Sequence, residues 1–128
     1  MSQNLGGATN IVFSSPALSG TETIIGQFGP IIPNNDTSRV LLIAAIVVLS
    51  TAATALQFRI RRGATLADPA IFTSNNLENG NNAASNTNYT IMFMDSLASL
   101  ATVFYSLTLT PTGANCGINN VTFAGLLL

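Results

Sequence analysis

Strict alternation of apolar side chains along the last third of the chain is the pattern of a β-strand. Val103, Tyr105, Leu107 and Leu109 occupy every second position, and Pro111 ends the run. Successive side chains of a strand point to opposite faces, so this spacing places the four residues on one face. Two further segments of the last third have a strand-forming composition and also predict strands: residues 89–94 and 121–128.

The most hydrophobic segment, residues 40–49, fits two structures. With residues 50–56 it gives 17 mostly apolar residues, enough for a short membrane helix, and the arginines that follow would act as its positively charged anchors. Alternatively, residues 40–49 form a buried strand inside a sandwich. Leu56, Phe58 and Ile60 alternate with polar residues, which is the pattern of a half-exposed strand. We therefore favour strands over a helix at 40–56.

The remaining segments complete a chain of short strands with turn residues between them. Residues 1–10 predict a flexible arm, and residues 11–128 a single domain. Residues 74–88 are rich in Asn and predict a long exposed loop, either mobile or in contact with a neighbour. About seven or eight strands at short spacing predict an all-β fold, a single antiparallel β-sandwich or jelly roll.

The composition leaves little for catalysis. The chain has no His and no Lys, one Cys, four Arg and five acidic residues, with a net charge of −1. Acid–base catalysis, nucleophile activation and metal binding draw mainly on His, Cys, Lys and clustered carboxylates. We therefore expect no enzymatic activity, no cofactor and no metal site. A chain without a basic cluster is also not expected to bind nucleic acid.

The candidate site residues belong to an interface, since no catalytic set is available. Arg59, Arg61 and Arg62 could pair with acidic groups of a neighbouring protein, because a guanidinium group binds a carboxylate with two hydrogen bonds. The alternative is that they only keep an exposed strand edge soluble and unpaired. Three consecutive leucines near the end of the sequence are expected to be buried in the fold or against another subunit: Leu126, Leu127 and Leu128.

Two minor features carry a structural interpretation. Cys116 lies in the turn-like segment 113–117 with no His to pair with it, so we interpret it as a partly buried filler. Four of the acidic residues lack the spacing of an oxygen-ligand loop and do not predict a calcium site: Asp36, Asp68, Glu78 and Asp95.

The strand and turn patterns of residues 56–63, 103–110 and 121–124, with Asp95 among them, resemble those of the small jelly-roll proteins of bacteriophages and other virus particles. The resemblance extends over residues 38–128. Proteins of this kind cement or decorate capsid shells, or form trimeric knobs. The resemblance implies a jelly-roll fold and a virion setting, and it carries over no catalytic residue.

The leading hypothesis is therefore a capsid decoration, cement or minor capsid protein on the virion surface. Its expected partners are itself, as a homotrimer, and the major capsid protein or another virion protein. Many weak contacts would add up to stabilise the shell. Two alternatives stay open: a receptor- or carbohydrate-binding knob of a viral spike or fibre, and a small membrane-anchored protein with a helix at 40–56.

Overall fold

The computed structural model describes residues 4–5, 9–11, 20–33, 38–50, 54–79, 85–112 and 116–128. These parts of the chain form ten strands and no helix. Their bounds are β1 (Asn4–Leu5), β2 (Thr9–Ile11), β3 (Thr23–Ile31), β4 (Arg39–Ser50), β5 (Thr54–Arg62), β6 (Ala70–Thr73), β7 (Leu77–Asn79), β8 (Ser85–Ser96), β9 (Val103–Pro111) and β10 (Cys116–Leu127).

The ten strands fill eight positions in two sheets, because two pairs of short strands share an edge. β1 and β2 both pair with β10, and β6 and β7 both pair with β5. The first sheet has the order β1/β2, β10, β4, β8, and the second has the order β3, β9, β5, β6/β7. All these pairings are antiparallel.

This order is the winding of a jelly roll. The first position along the chain pairs with the eighth, the second with the seventh, the third with the sixth and the fourth with the fifth. A double-sheet jelly roll has this arrangement of eight strands. The predicted fold class, a single antiparallel β-sandwich of about seven or eight strands, is confirmed.

The hydrophobic segment at residues 40–49 lies in β4, and residues 56–62 lie in β5. β4 pairs along its length with β10 on one side and with β8 on the other. The alternative prediction of a membrane helix over 40–56 is therefore wrong. Among the described residues, no helix is long and apolar enough to span a membrane.

Alternation within each long strand fills the core. In β5, for example, Leu56, Phe58 and Ile60 are fully buried, while the residues between them lie on the outer face. β-Branched and aromatic side chains of this kind fit a pleated surface buried on one face. The largest fully buried side chains of the core are Tyr105, Phe58, Phe123, Ile25, Ile31, Leu42, Ile46, Leu56, Ile60, Leu107, Leu109 and Ile118.

A β-bulge keeps β10 in phase with the core. The register with β4 shifts between Ile118 and Asn120, and Asn119 and Asn120 are both exposed. One extra residue in a strand reverses the phase of its alternation. Ile118 before the bulge and Val121 after it therefore both point into the core.

Two segments differ from their sequence-based prediction, and the predicted arm contains short strands. The Asn-rich segment 74–88 is predicted to be one long loop. Instead, it contains β7 and the first residues of β8. Cys116 opens β10 and is buried, so Cys116 and Gly117 do not belong to the turn-like segment predicted at 113–117, whose residues 113–115 lie outside the described residues. Asn4, Leu5, Thr9 and Asn10 of the predicted arm, residues 1–10, lie in strands that pair with β10. The division into an arm and a domain at residue 11 stays a prediction.

Gly125 marks a close approach between the two sheets and supports a test of the packing. A Cβ at this position would lie 2.5 Å from Cζ of Phe28 and 3.2 Å from Cγ1 of Val40. Because overpacking a core typically destabilises by about 1–3 kcal/mol, we expect Gly125→Ala to lower the free energy of unfolding by that amount. Urea denaturation measures it. Gly26→Ala, whose Cβ would meet Val121 at 3.3 Å, is the control and should lower stability less.

Candidate functional site

The three predicted interface arginines lie on β5, which has neighbours on both sides. Arg59 and Arg61 point outward from the second sheet, whereas Arg62 lies on the face of β5 that carries the buried Leu56, Phe58 and Ile60. β5 pairs with β9 on one side and with β6 and β7 on the other. It is not an edge strand.

Glu22 binds both outward arginines. Nε of Arg61 donates to Oε2 of Glu22 at 2.9 Å and Nη2 donates to Oε1 at 2.8 Å, so the pair is bidentate. Arg59 Nη1 lies 3.5 Å from the same Oε1. Thr108 Oγ1 also donates to Oε2, at 2.6 Å. The hydrogen bonds from Arg61 are the main reason that the pKa of Glu22 is below its ordinary value.

The turn after β5 completes this polar network. Ser106 Oγ donates to the carbonyl of Gly63 at 2.7 Å, and Gln27 Nε2 donates to the carbonyl of Ala64 at 2.7 Å. Gly63 has a φ of 144°, and a Cβ there would collide with the carboxylate of Asp68. Ser106 is fully buried although its side chain is on the outer side of β9, so this sheet face is covered by the chain's own polar groups.

Arg62 joins the two sheets through a cluster in which Asp95 and Tyr105 are buried, while the Arg62 side chain is 40% exposed at the end of the sandwich. It makes a bidentate ion pair with Asp95 of β8, in which Nε donates to Oδ2 at 2.9 Å. The hydroxyl of Tyr105 donates to the same Oδ2 at 2.7 Å. Burial, followed by the hydrogen bond to Asp95, raises the pKa of Tyr105 well above its usual value. The positive charge of Arg62 on the core side of the second sheet is thus neutralised by the carboxylate of Asp95 from the first sheet.

All three arginines therefore have carboxylate partners within the chain, and the alternative of an unpaired strand edge is wrong. Contact with an acidic neighbour stays a prediction. Sequence reasoning missed the partners. Glu22 gave no signal, since it lies 39 residues from Arg61 along the chain. Asp95 did give one, because it is in phase with the apolar Ile91 and Phe93, and a core-facing charge requires a partner.

The three leucines at 126–128 differ in burial, because successive residues of a strand point to opposite faces of the sheet. Leu127 is fully buried in the core, Leu126 is half-buried on the outer face of the first sheet, and Leu128 is 38% exposed. Leu127 is therefore covered within the fold itself, without a second subunit. An interface role for Leu126 and Leu128 stays a prediction.

The outer face of the first sheet is apolar along its central strand. Its apolar side chains, which we call the apolar face, are Leu41, Ile43, Ala45, Val47 and Leu49 of β4, Met92 and Met94 of β8, and Ala124 and Leu126 of β10. The register places Leu126, Leu41 and Met94 in one row. Ala124, Ile43 and Met92 form the next.

Little in the described part of the chain suggests chemistry. Cys116 is buried, and burial raises the pKa of its thiol, which disfavours the reactive thiolate. No group of three His, Cys, Asp or Glu side chains among the described residues could hold a metal ion. An open groove between Arg62 and Phe104 is lined otherwise by small and apolar residues of the 97–103 segment. This groove offers no acid–base pair.

The chain resembles viral structures in fold. No family model and no curated protein matches it. A chain in the structure of the infectious bursal disease virus Gx strain superposes with a TM-score of 0.54 and 14% identity, covering 98% of this chain and 31% of that one. A chain of the VP2 subviral particle of the same virus gives 0.56 and 12%, covering 95% and 32%. The Gt strain gives 0.54 and 12%, again covering 95% and 32%.

These matches define a class of fold. The chain spans about a third of the length of the viral chains that it matches. At 12–14% identity the likeness concerns the fold alone. The predicted resemblance to jelly-roll proteins of virus particles is confirmed at that level, while a bacteriophage origin and the decoration type stay predictions.

The Arg62–Asp95–Tyr105 cluster generates a stability test. Asp95→Ala leaves the buried Tyr105 hydroxyl without its acceptor and the 40% exposed Arg62 side chain without its ion pair, and we expect a loss of about 2 kcal/mol in the free energy of unfolding. Tyr105→Phe should lose about 1 kcal/mol. The double variant should lose less than the sum, because the orphaned hydroxyl is gone. Urea denaturation of the three variants checks this, and an Asp95→Ala protein as stable as wild type would contradict it.

The lowered pKa of Glu22 generates a pH test. A carboxyl group whose pKa is lower in the folded state stabilises the fold above its unfolded pKa of about 4.5 and loses that contribution as the pH falls through the folded pKa. We expect wild type to be more stable than Glu22→Gln at pH 7, with the difference shrinking below pH 4.5. Urea denaturation from pH 7 down to about pH 2 measures it. A difference that stays constant would refute the role of the ionised carboxylate.

Proposed function

We propose that this chain is a non-enzymatic structural protein of a virus particle, of the decoration, cement or minor capsid type. In this proposal it assembles as a homotrimer on the outside of an icosahedral shell. There it contacts the major capsid protein or another virion protein. Its function is mechanical, because it joins neighbouring shell subunits and resists their separation.

The observation that carries this proposal is the winding of the strands. The order β1/β2, β10, β4, β8 over β3, β9, β5, β6/β7 is a jelly roll. The same fold covers 95–98% of the chain in matches to the virus and subviral-particle structures. A shared fold does not by itself imply a shared function, so the proposal also needs support from the surface.

The chemistry of the described residues supports a structural role. The arginines of β5 are engaged by Glu22 and Asp95, and the single thiol is buried. These groups stabilise the fold and are not arranged as an acid, a base and a nucleophile around a cavity.

The surface supports assembly. Large exposed apolar patches on a soluble domain typically mark contacts with other proteins. Here the exposed Ile43, Met92 and Met94 are neighbours on one sheet. Repeated weak contacts of such a surface around a closed shell would add by multivalency.

Purified particles provide the test. Particles from the system that produces this chain would be separated by density gradient, and the chain quantified against the shell protein. We expect a fixed ratio of the two and binding of an antibody against this chain to intact particles. Shells stripped of the chain should open at a lower temperature than complete particles.

Three results would count against the proposal. Absence of the chain from purified particles would refute the virion role. Antibody binding only to disrupted particles would place the chain inside and refute the decoration role. Stripped shells as heat-stable as complete ones would refute cementing.

A further inference from the structure

We infer that the apolar face is the surface through which copies of this chain bind one another. The inference rests on the proposed function and deepens it by naming the partner, a second copy, and the sheet that receives it. It is carried by the pattern of β4, the geometry of the face, its area and its charge.

β4 has the side-chain pattern of a strand covered on both faces. Its inward residues, Val40 to Val48 in alternation, are fully buried, and its outward residues from Leu41 to Leu49 are also apolar. Strands covered on both faces read as continuous hydrophobic runs, whereas strands with one solvated face alternate. β5 does alternate, with arginines on its outer side. Within the described structure, the second sheet covers only the inner face of β4.

The rows across the first sheet give the apolar face its shape. Ile43 lies directly between Ala124 of β10 and Met92 of β8. One row away, Ala45 lies between Thr122 and Thr90. Small side chains thus alternate with large ones, and the methionines supply flexible side chains that adapt to an opposing surface.

The area approaches what a stable contact requires. β4, β8 and β10 each have 12 residues. At about 3.3 Å per residue and about 4.8 Å between strands, these three strands present an outer face of about 40 Å by 14 Å, or about 560 Å² in projection, which includes the apolar face and the Thr and Asn side chains beside it. A stable interface buries about 800 Å² per partner, and the edge strands β1 and β2 widen this face further.

The charge distribution favours a second copy as the occupant. Among the described side chains, the outer face of the first sheet carries one charged residue, Arg39, at its end. The outer face of the second sheet carries Glu22, Arg59 and Arg61. A face with a single charge at its end does not strongly repel a second copy of the chain and offers no complementary group to a charged partner, so copies can meet through it around a threefold axis.

Met92→Lys tests the inference with a matched control. Met92 is 64% exposed on β8, and Leu100 is 60% exposed outside the apolar face. We expect the wild-type chain to sediment at about three times its 13.3 kDa mass in the micromolar range. Met92→Lys should raise the dissociation constant by more than about tenfold, because a charge would be buried at the contact. Leu100→Lys should sediment as wild type.

A second pair of variants separates contact by the face from pairing of strand edges. β8 is an edge strand, so Met92 would also lie near any edge-to-edge contact. Ile43 points outward from the central β4, and Thr keeps its β-branched shape. Ile43→Thr should weaken association, and Ile32→Thr, at a 58% exposed site outside the apolar face, should not. Circular dichroism and urea denaturation verify that each variant is folded.

Four results would overturn the inference. The first is a wild-type chain that is monomeric at 100 μM, and the second is a folded Met92→Lys variant that associates as wild type does. The third is a loss of association in the control Leu100→Lys as well. The fourth is a loss of association in Met92→Lys but not in Ile43→Thr. The last would assign the contact to the edge of β8. A monomeric wild type whose Met92→Lys variant no longer binds shells would assign the face to a shell protein. Self-association through the face without any binding to particles would leave the inference intact and refute the proposed function.

Discussion

Aromatic rings from the two sheets contact one another across the core, one pair edge to face and two pairs tilted. Phe28 contacts Phe123 with ring centroids 4.7 Å apart. Phe58 contacts Tyr89 at 5.3 Å, and Phe72 contacts Phe93 at 5.5 Å. Burial of these rings is a large favourable term, and their tilted geometry adds to it. The two sheets must bury the faces that carry these rings against each other. This requirement fixes which residues of each long strand point into the core, and therefore which residues point outward.

The charges of the chain follow from the same constraint. Arg62 is in phase with the core residues of β5, so it lies at the end of the sandwich on the inner side and needs a buried partner. Asp95 meets that need from the other sheet, with Tyr105 as a further donor. Arg59 and Arg61 are out of phase with the core, so they lie outside and bind Glu22. The chain has few charged side chains, and most of those that the structure describes stabilise its own fold.

The two outer faces consequently differ. The second sheet is covered by the network of Glu22, Arg61 and Thr108 together with the turn after β5. Among the described residues, the apolar face of the first sheet carries no comparable network. Many functions occur on jelly-roll folds, so the winding alone does not define the role of this protein. The contrast between a self-covered polar face and an apolar face is what points to assembly.

Alternation along the sequence was enough to predict a β-sandwich and the strands at residues 56–60 and 103–110, because the period of two is a local property of a strand. The absence of His and Lys likewise directed attention away from catalysis. The sequence alone could not reveal the strand order, the bulge after Ile118 or the partnership of Glu22 with Arg61. These depend on hydrogen bonds and ion pairs between residues far apart in the chain. Only the closed tertiary structure brings such residues together and leaves one face of β4 uncovered by the described residues.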